Sequence, residues 1–239
     1  MSSLPSEKLL AQQAAWLAPA RARLLRKANI AHRQSVLDLA CGTGAVTEEL
    51  LRRADGQVIA LDISQQALQN PHDTKNFIGV RRVCGRAEEL PFADRSFDLV
   101  FCQFALLWLD APRALREIHR VLTPGGMLAA IEPDYGGLIE HPPEIVTRDL
   151  WLSALTRAGG DPLIGRKLPG LLVELGFDVQ VDLLDRLMEP SPARFDFLAE
   201  LPKNDAEKAL FSQRLKAAEK LPFQVAHLPL FLITAEVPA

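Results

Sequence analysis

One short stretch concentrates the chemistry of this chain: Val36-Leu37-Asp38-Leu39-Ala40-Cys41-Gly42-Thr43-Gly44. Gly42 and Gly44 permit positive φ and let a ligand approach the backbone with no Cβ in the way. Eighteen residues beyond Gly44, an apolar run ends at Asp62. A carboxylate at a strand end is placed to accept hydrogen bonds from both hydroxyls of a ribose. Turn and acid together fit an adenosine-type ligand. Asp38, at the end of the preceding run, would repel a pyrophosphate and suits an ammonium or a sulfonium. The dinucleotide pattern G-x-G-x-x-G also lacks its last glycine, because Thr47 stands there. A nicotinamide-dependent oxidoreductase is therefore disfavoured.

The elements that must hold these residues are legible by period. Strand-length apolar runs cover Ser35–Ala40, Gln57–Asp62, Gly79–Cys84, Phe97–Cys102, Met127–Glu132, Asp178–Leu184 and Pro229–Glu236. Helix-period stretches lie between most of them, which implies βαβ units around a mainly parallel sheet with helices on both faces. A helix is expected to begin near Ala45. Another opens at Pro112, carries Leu115, Ile118 and Leu122 on one face, and ends at Pro124-Gly125-Gly126. A third follows Gly165 through Leu168, Leu171, Leu172 and Leu175, with Gly176 at a left-handed cap. His119 reads as a packing or surface residue, since no other His or Cys lies near it at ligand spacing.

Three segments stand outside the alternation. Residues 4–28 read as a helical arm, residues 140–160 as a helix with Trp151, Ala154, Leu155 and Ala158 on one stripe, and residues 191–222 as one or two helices. They form a lid or cover sheet edges. One domain is expected over residues 1–239, with its ligand-binding core at about 30–135.

Composition narrows the function classes. The 239 residues are 48% hydrophobic and 24% charged, enough apolar surface for a folded globular chain. With 27 Lys+Arg against 30 Asp+Glu, there is no basic excess to draw in nucleic acid or an anionic membrane surface. Cys41, Cys84 and Cys102 are odd in number and widely spaced, so neither a disulfide framework nor a metal clip is expected. No metal site, signal peptide or membrane span is expected, and the predicted location is the cytoplasm.

With these residues in place, the sequence resembles the class I S-adenosylmethionine-dependent methyltransferases. Within them it is similar to the methyltransferase type 11 group, which includes ubiquinone/menaquinone and biotin-pathway methyltransferases. The resemblance rests on VLDLACGTG at 36–44, VIALDIS at 58–64, CGRAEELPFADRSFDLVFC at 84–102 and ALREIHRVLTPGGMLAAIEPD at 114–134. A weaker echo runs from Gly165 to Phe177. It implies a Rossmann-like seven-stranded sheet in the order 3-2-1-4-5-7-6 with the seventh strand antiparallel, and S-adenosyl-L-methionine as cofactor, released as S-adenosyl-L-homocysteine.

By that resemblance, Asp38 would face the methionine amino group. Ala40, Cys41, Gly42, Thr43 and Gly44 would form the turn under the cofactor, and Asp62 would hold the ribose. Ile63 would lie on one adenine face, Ala87 and Glu88 along the adenine edge, and Cys102 and Gln103 beside the methionine moiety. The family usually has an acid or Asn where this chain has Arg86, and arginine offers no acceptor to the adenine amino group. Glu88 or a backbone carbonyl then takes over, or adenine is held by packing, or the chain has left cofactor binding. The last alternative is a non-catalytic module that binds S-adenosylmethionine or a nucleoside and acts through a partner.

In an open α/β sheet the ligand lies across the carboxyl ends of the strands, so the acceptor should meet residues after the fourth and fifth strands. Methyl transfer is an in-line displacement in which the protein aligns the acceptor and excludes water. An oxygen or nitrogen acceptor needs a base, for which Glu132 or Asp134 is better placed than His141. The same carboxylates fit a solvated or capping role equally well. Leu107, Trp108, Tyr135 and Trp151 are the candidate acceptor-facing walls, and Trp16 reads as core. Cys102 reads as an inert buried thiol. The place after the fourth strand holds Cys102-Gln103-Phe104-Ala105 rather than the [DN]-PP-[YF] of enzymes that methylate base amines. A small, apolar or amphipathic molecule is the expected acceptor.

Overall fold

A computed structural model describes residues 6–69, 79–183 and 193–239. β1 (Ser35–Leu39) pairs in parallel with β2 (Gln57–Asp62) on one side and β4 (Phe97–Gln103) on the other. β3 (Arg81–Cys84) extends the sheet beyond β2, and β5 (Leu122–Pro133) extends it beyond β4, again in parallel. The last strand, β9 (Leu230–Glu236), runs antiparallel between β5 and β7 (Asp178–Leu183). β6 (Ile139–His141) and β8 (Val225–His227) form a separate antiparallel ribbon. The large sheet has the order β3-β2-β1-β4-β5-β9-β7. Counted over its seven strands alone, that is the expected 3-2-1-4-5-7-6 with the final strand reversed.

The central strands are apolar on both faces because both are covered. On one side, α1 (Glu7–Lys27) lays Leu17, Ala20, Leu24 and Leu25 against Leu99, Phe101, Ala129 and Ile131. Leu50 of α2 (Thr47–Arg53) joins the same layer. On the other side, α4 (Ala111–Val121), α5 (Arg148–Arg157) and α6 (Ile164–Glu174) cover Leu37, Val100, Leu128 and Ala130. His119 sits edge-on to Phe177 with ring centroids 5.0 Å apart, a packing role.

Several boundaries differ from the sequence reading, each for a local reason. α2 starts at Thr47 rather than near Ala45, because Gly44 is held at φ +83° by the turn. α4 ends at Val121, and β5 begins at once at Leu122; Pro124-Gly125-Gly126 interrupts the start of the strand and shifts its register against β4 between Phe97 and Leu99. Residues 139–141 are a strand and not helix, since Pro142-Pro143 denies the following turn its amides. The helix begins only at Arg148. After residue 192 there are two helices, α7 (Arg194–Glu200) and α8 (Asp205–Ala218), the second opened by an Asn204/Glu207 capping box. Leu184 and residues 191–192 lie outside the described residues. A short helix, α3 (Gln65–Gln69), follows β2.

Candidate functional site

The glycine turn joins β1 to α2 at the carboxyl end of the sheet. Gly44 N–H donates to Cys41 C=O at 2.9 Å, and Thr47 N–H to Gly44 C=O at 3.1 Å, closing two tight loops. Gly42 and Gly44 both take positive φ, and so does Ala40 at +56°, where a Cβ is a strain. The open side of Gly42 faces Leu10 of α1, whose Cδ1 is 3.9 Å from where a Cβ would stand.

The two acids sit at adjacent strand ends, both buried. Asp62 Oδ2 accepts from Gly42 N–H at 2.8 Å and Oδ1 from Ser64 N–H at 2.8 Å, so the ribose candidate also braces the turn. Asp38 Oδ2 accepts from the Thr47 hydroxyl at 2.6 Å. Burial pushes the Asp38 carboxyl up to about 7, with Asp62 adding to the rise and the Thr47 bond and Arg21 opposing it. Such a group gains by meeting a fixed positive charge. Two acids flanking a turn of positive φ suit a ligand with a cationic centre and vicinal hydroxyls, and S-adenosylmethionine has both.

The remaining cofactor candidates spread along the same strand ends. Ile63 is exposed directly after Asp62, and Ala87 is buried. Arg86 points to Glu88 Oε2 at 3.4 Å, and Glu88 Oε1 lies 3.4 Å from Asp110 N–H. Cys102 is fully buried and its thiol is pushed well above the ordinary range by desolvation and then by Glu132, which fits an inert role. The Cys41 thiol is likewise raised by burial. Gln103 Oε1 accepts from Arg21 Nη1 at 3.0 Å.

Arg21 was missed by sequence reasoning. It is buried in α1, donates to Glu49 of α2 at 2.7 Å and to its own helix at Ala14 C=O, and so ties the helix to the site. A signal existed: Arg21 lies four residues after Leu17 and three before Leu24, on the buried stripe of α1.

Beyond β4 and β5 the chain forms an open cleft with a cavity volume of about 50 Å³. Tyr135 and Trp151 line it, stacked with ring centroids 4.7 Å apart. Leu107 and Trp108 do not: Leu107 is in the core, and Trp108 is half-exposed with its ring on Gly160. Trp16, expected in the core, is a wall of the cleft, together with Gln13 one turn earlier. Phe104 is another wall, reached by a positive φ of 53° at the end of β4. A bulky residue held there is a strained one. Leu10, Gln13 and Trp16 thus run along α1 from the glycine turn to the cleft.

The two candidate bases are engaged elsewhere, and neither lines the cleft. Both Asp134 oxygens accept from Arg166, the shortest bond being 2.6 Å. Glu132 is fully buried; its Oε1 accepts from Ala105 and Leu106 N–H at 2.9 Å each, capping the 3₁₀ turn Leu106–Trp108. Among the described residues its Oε2 has no hydrogen-bond partner, and burial pushes the carboxyl up to about 7. His141 is exposed on β6. Among the described residues no helix is long and apolar enough to cross a membrane.

Known proteins share this framework. Residues 37–130 match the family described as "Methyltransferase domain", Methyltransf_11. The human "Arginine-hydroxylase NDUFAF5, mitochondrial" is 32% identical over 172 residues, covering 69% of this chain and 48% of that protein. The demethylmenaquinone methyltransferase of Lactiplantibacillus plantarum is 35% identical over 155 residues, 61% of each chain. The chain therefore spans about half to three-fifths of these relatives' lengths. The geranyl diphosphate C-methyltransferase of Streptomyces coelicolor, solved with Mg²⁺, geranyl diphosphate and S-adenosyl-L-homocysteine, has the same fold, with a TM-score of 0.60 over 92% of this chain and 77% of that one, at 15% identity. Over residues 37–130 the chain is thus similar to the type 11 methyltransferase domain, and its sheet has the Rossmann-like fold of the methyltransferase structures it resembles.

Proposed function

We propose that this chain is an S-adenosylmethionine-dependent methyltransferase for a small, largely apolar molecule. The observation that carries the reading is the continuity of the two sites: a glycine turn between Asp38 and Asp62, joined along one face of α1 to a cleft walled by Trp16, Phe104, Tyr135 and Trp151. When bound, S-adenosylmethionine supplies a methyl group activated on a positively charged sulfur. Asp38 would hold the amino group and Asp62 the ribose, with Ile63 and Ala87 beside the adenine. Gly42, Thr43 and Gly44 give the backbone room, and Cys102 and Gln103 border the methionine end.

The aromatic walls orient the acceptor and keep water out, which is most of what an in-line displacement asks of a protein. Glu132 serves as a positioning residue, because its bound oxygen fixes the turn that follows β4. The three free cysteines favour a reducing, cytoplasmic setting. A second reading rests on Arg86, whose pairing with Glu88 would bring a guanidinium to the proposed adenine edge. It makes the chain a cofactor-binding module without turnover.

Calorimetric titration with S-adenosylmethionine and S-adenosylhomocysteine tests the cofactor assignment. Micromolar binding is expected, falling at least about 100-fold in Asp62→Ala through loss of two hydrogen bonds to a charged acceptor. Unchanged affinity in a folded Asp62→Ala variant would sink the ribose assignment. Transfer of labelled methyl to any member of an apolar acceptor panel would then exclude the module reading.

A further inference from the structure

We propose that Arg194 anchors a carboxylate on the acceptor, so that the cleft takes an apolar body ending in one negative charge. The inference rests on the transferase reading for the role of the cleft, and on the cleft's own chemistry for the charge. Its walls are mostly aromatic and aliphatic, and among the described residues only Glu140 and Arg194 bring charge to it.

Glu140 is already committed. Its Oε1 accepts from the Thr147 hydroxyl at 2.6 Å, and its Oε2 from the Thr147 and Arg148 N–H groups at 2.6 and 2.9 Å. It caps α5, where a carboxylate is favoured by the helix dipole.

Arg194 is held but not neutralised. Nη2 donates to Gln224 Oε1 at 2.6 Å, and the guanidinium stands 4.6 Å over the Phe195 ring. Both contacts fix its plane and neither removes its charge. Among the described residues, buried Nε has no hydrogen-bond partner, and no carboxylate lies within ion-pair distance of the guanidinium. Desolvation pulls the guanidinium below its ordinary pKa, with Glu140 acting the other way. A half-buried cation with an orphaned donor on an apolar wall is a costly arrangement that an oxyanion relieves. The planar fork matches a carboxylate better than a point charge would. One guanidinium sharing the cleft with Glu140 favours a monoanion, since a dianion would meet that carboxylate with charge to spare.

The test uses the full chain and the fluorescence of its cleft tryptophans. Decanoate, decanoamide and decyl phosphate are titrated into wild type and Arg194→Gln at about pH 8, with S-adenosylhomocysteine binding followed in parallel by calorimetry. Wild type should bind decanoate at least about tenfold more tightly than the amide, as expected for one charge-assisted pair. Arg194→Gln should lose that preference while keeping its affinity for the amide and for S-adenosylhomocysteine. Equal binding of acid and amide by wild type overturns the proposal without recourse to a variant, and so does a preference that survives in Arg194→Gln. Tighter binding of decyl phosphate than of decanoate overturns the single-charge assignment. Failure of S-adenosylhomocysteine to bind, with the acid preference intact, removes the transferase reading and leaves the carboxylate site standing.

Discussion

Thr47 Oγ1 donates a 2.6 Å hydrogen bond to Asp38 Oδ2, and both residues are buried at the foot of the glycine turn. The position that departs from the dinucleotide pattern is therefore the one that orients the first-strand carboxylate. A glycine there would supply no donor. The pair keeps an acid in place that the surrounding core disfavours, and that tension is measurable.

Burial raises Asp38 from 3.8 to about 7, so the folded state holds this proton more tightly than the unfolded chain does. By linkage its contribution to stability is intact below about pH 4 and is lost as pH rises towards about 7. Asp38→Asn should thus be more stable than wild type without added ligand. The advantage should be larger at about pH 8 than at about pH 5, and at most about 4 kcal/mol. The same variant should lose S-adenosylhomocysteine affinity. Denaturant titrations at the two pH values check the first part, and a variant less stable than wild type at the higher pH would refute it.

Ala40 holds a left-handed φ of 56° that glycine adopts without strain. Ala40→Gly should raise stability by about 0.5–1 kcal/mol, since αL strain of about 1–2 kcal/mol is partly offset by the greater chain entropy of glycine. S-adenosylhomocysteine affinity should stay within about twofold. A drop in stability would show that the turn is shaped by the Ala40 methyl.

Glu132 separates two roles by two substitutions. Glu132→Gln keeps an oxygen for the Ala105 and Leu106 amides and abolishes titration. If Glu132 positions the turn, turnover should change by less than about threefold, and stability near pH 8 should rise, because the raised carboxyl pKa costs stability as pH climbs towards about 7. Glu132→Ala orphans both amides and should lose about 2–4 kcal/mol. A fall of about a hundredfold in turnover for a stable Glu132→Gln would instead make it the base.

Arg21 links α1 to Glu49 and Gln103 from a buried position. Arg21→Met leaves Glu49 facing Arg53 alone and should cost about 3–5 kcal/mol. Hydrogen exchange should accelerate in α1 before it does in β4. Uniform acceleration across both elements would mean that the arginine holds the core as a whole and not the helix to the site.

The glycine turn and the acids beside it were legible because their chemistry is local. Asp38, Gly42, Gly44 and Asp62 sit at the ends of two neighbouring strands, and the alternation of apolar runs with helical stretches places such ends side by side. The cleft was only partly legible. Tyr135 and Trp151 were found because they follow a strand end and share a helical stripe. Trp16 was read as core and Arg194 was not singled out, since they are more than a hundred residues apart in sequence and come together only as walls of the same cleft.

The sequence by itself determined the alternating strands and helices and the acids at the strand ends, because hydrophobic period and turn chemistry act over a few residues at a time, while the strand order came with the family resemblance. Tertiary structure alone decided which polar groups are spent on the fold. Asp134 is taken by Arg166 and Glu132 by two amides. Among the described residues Arg194 meets no carboxylate in the cleft, because burial and partner geometry are properties of surfaces brought together, which no spacing along the chain encodes.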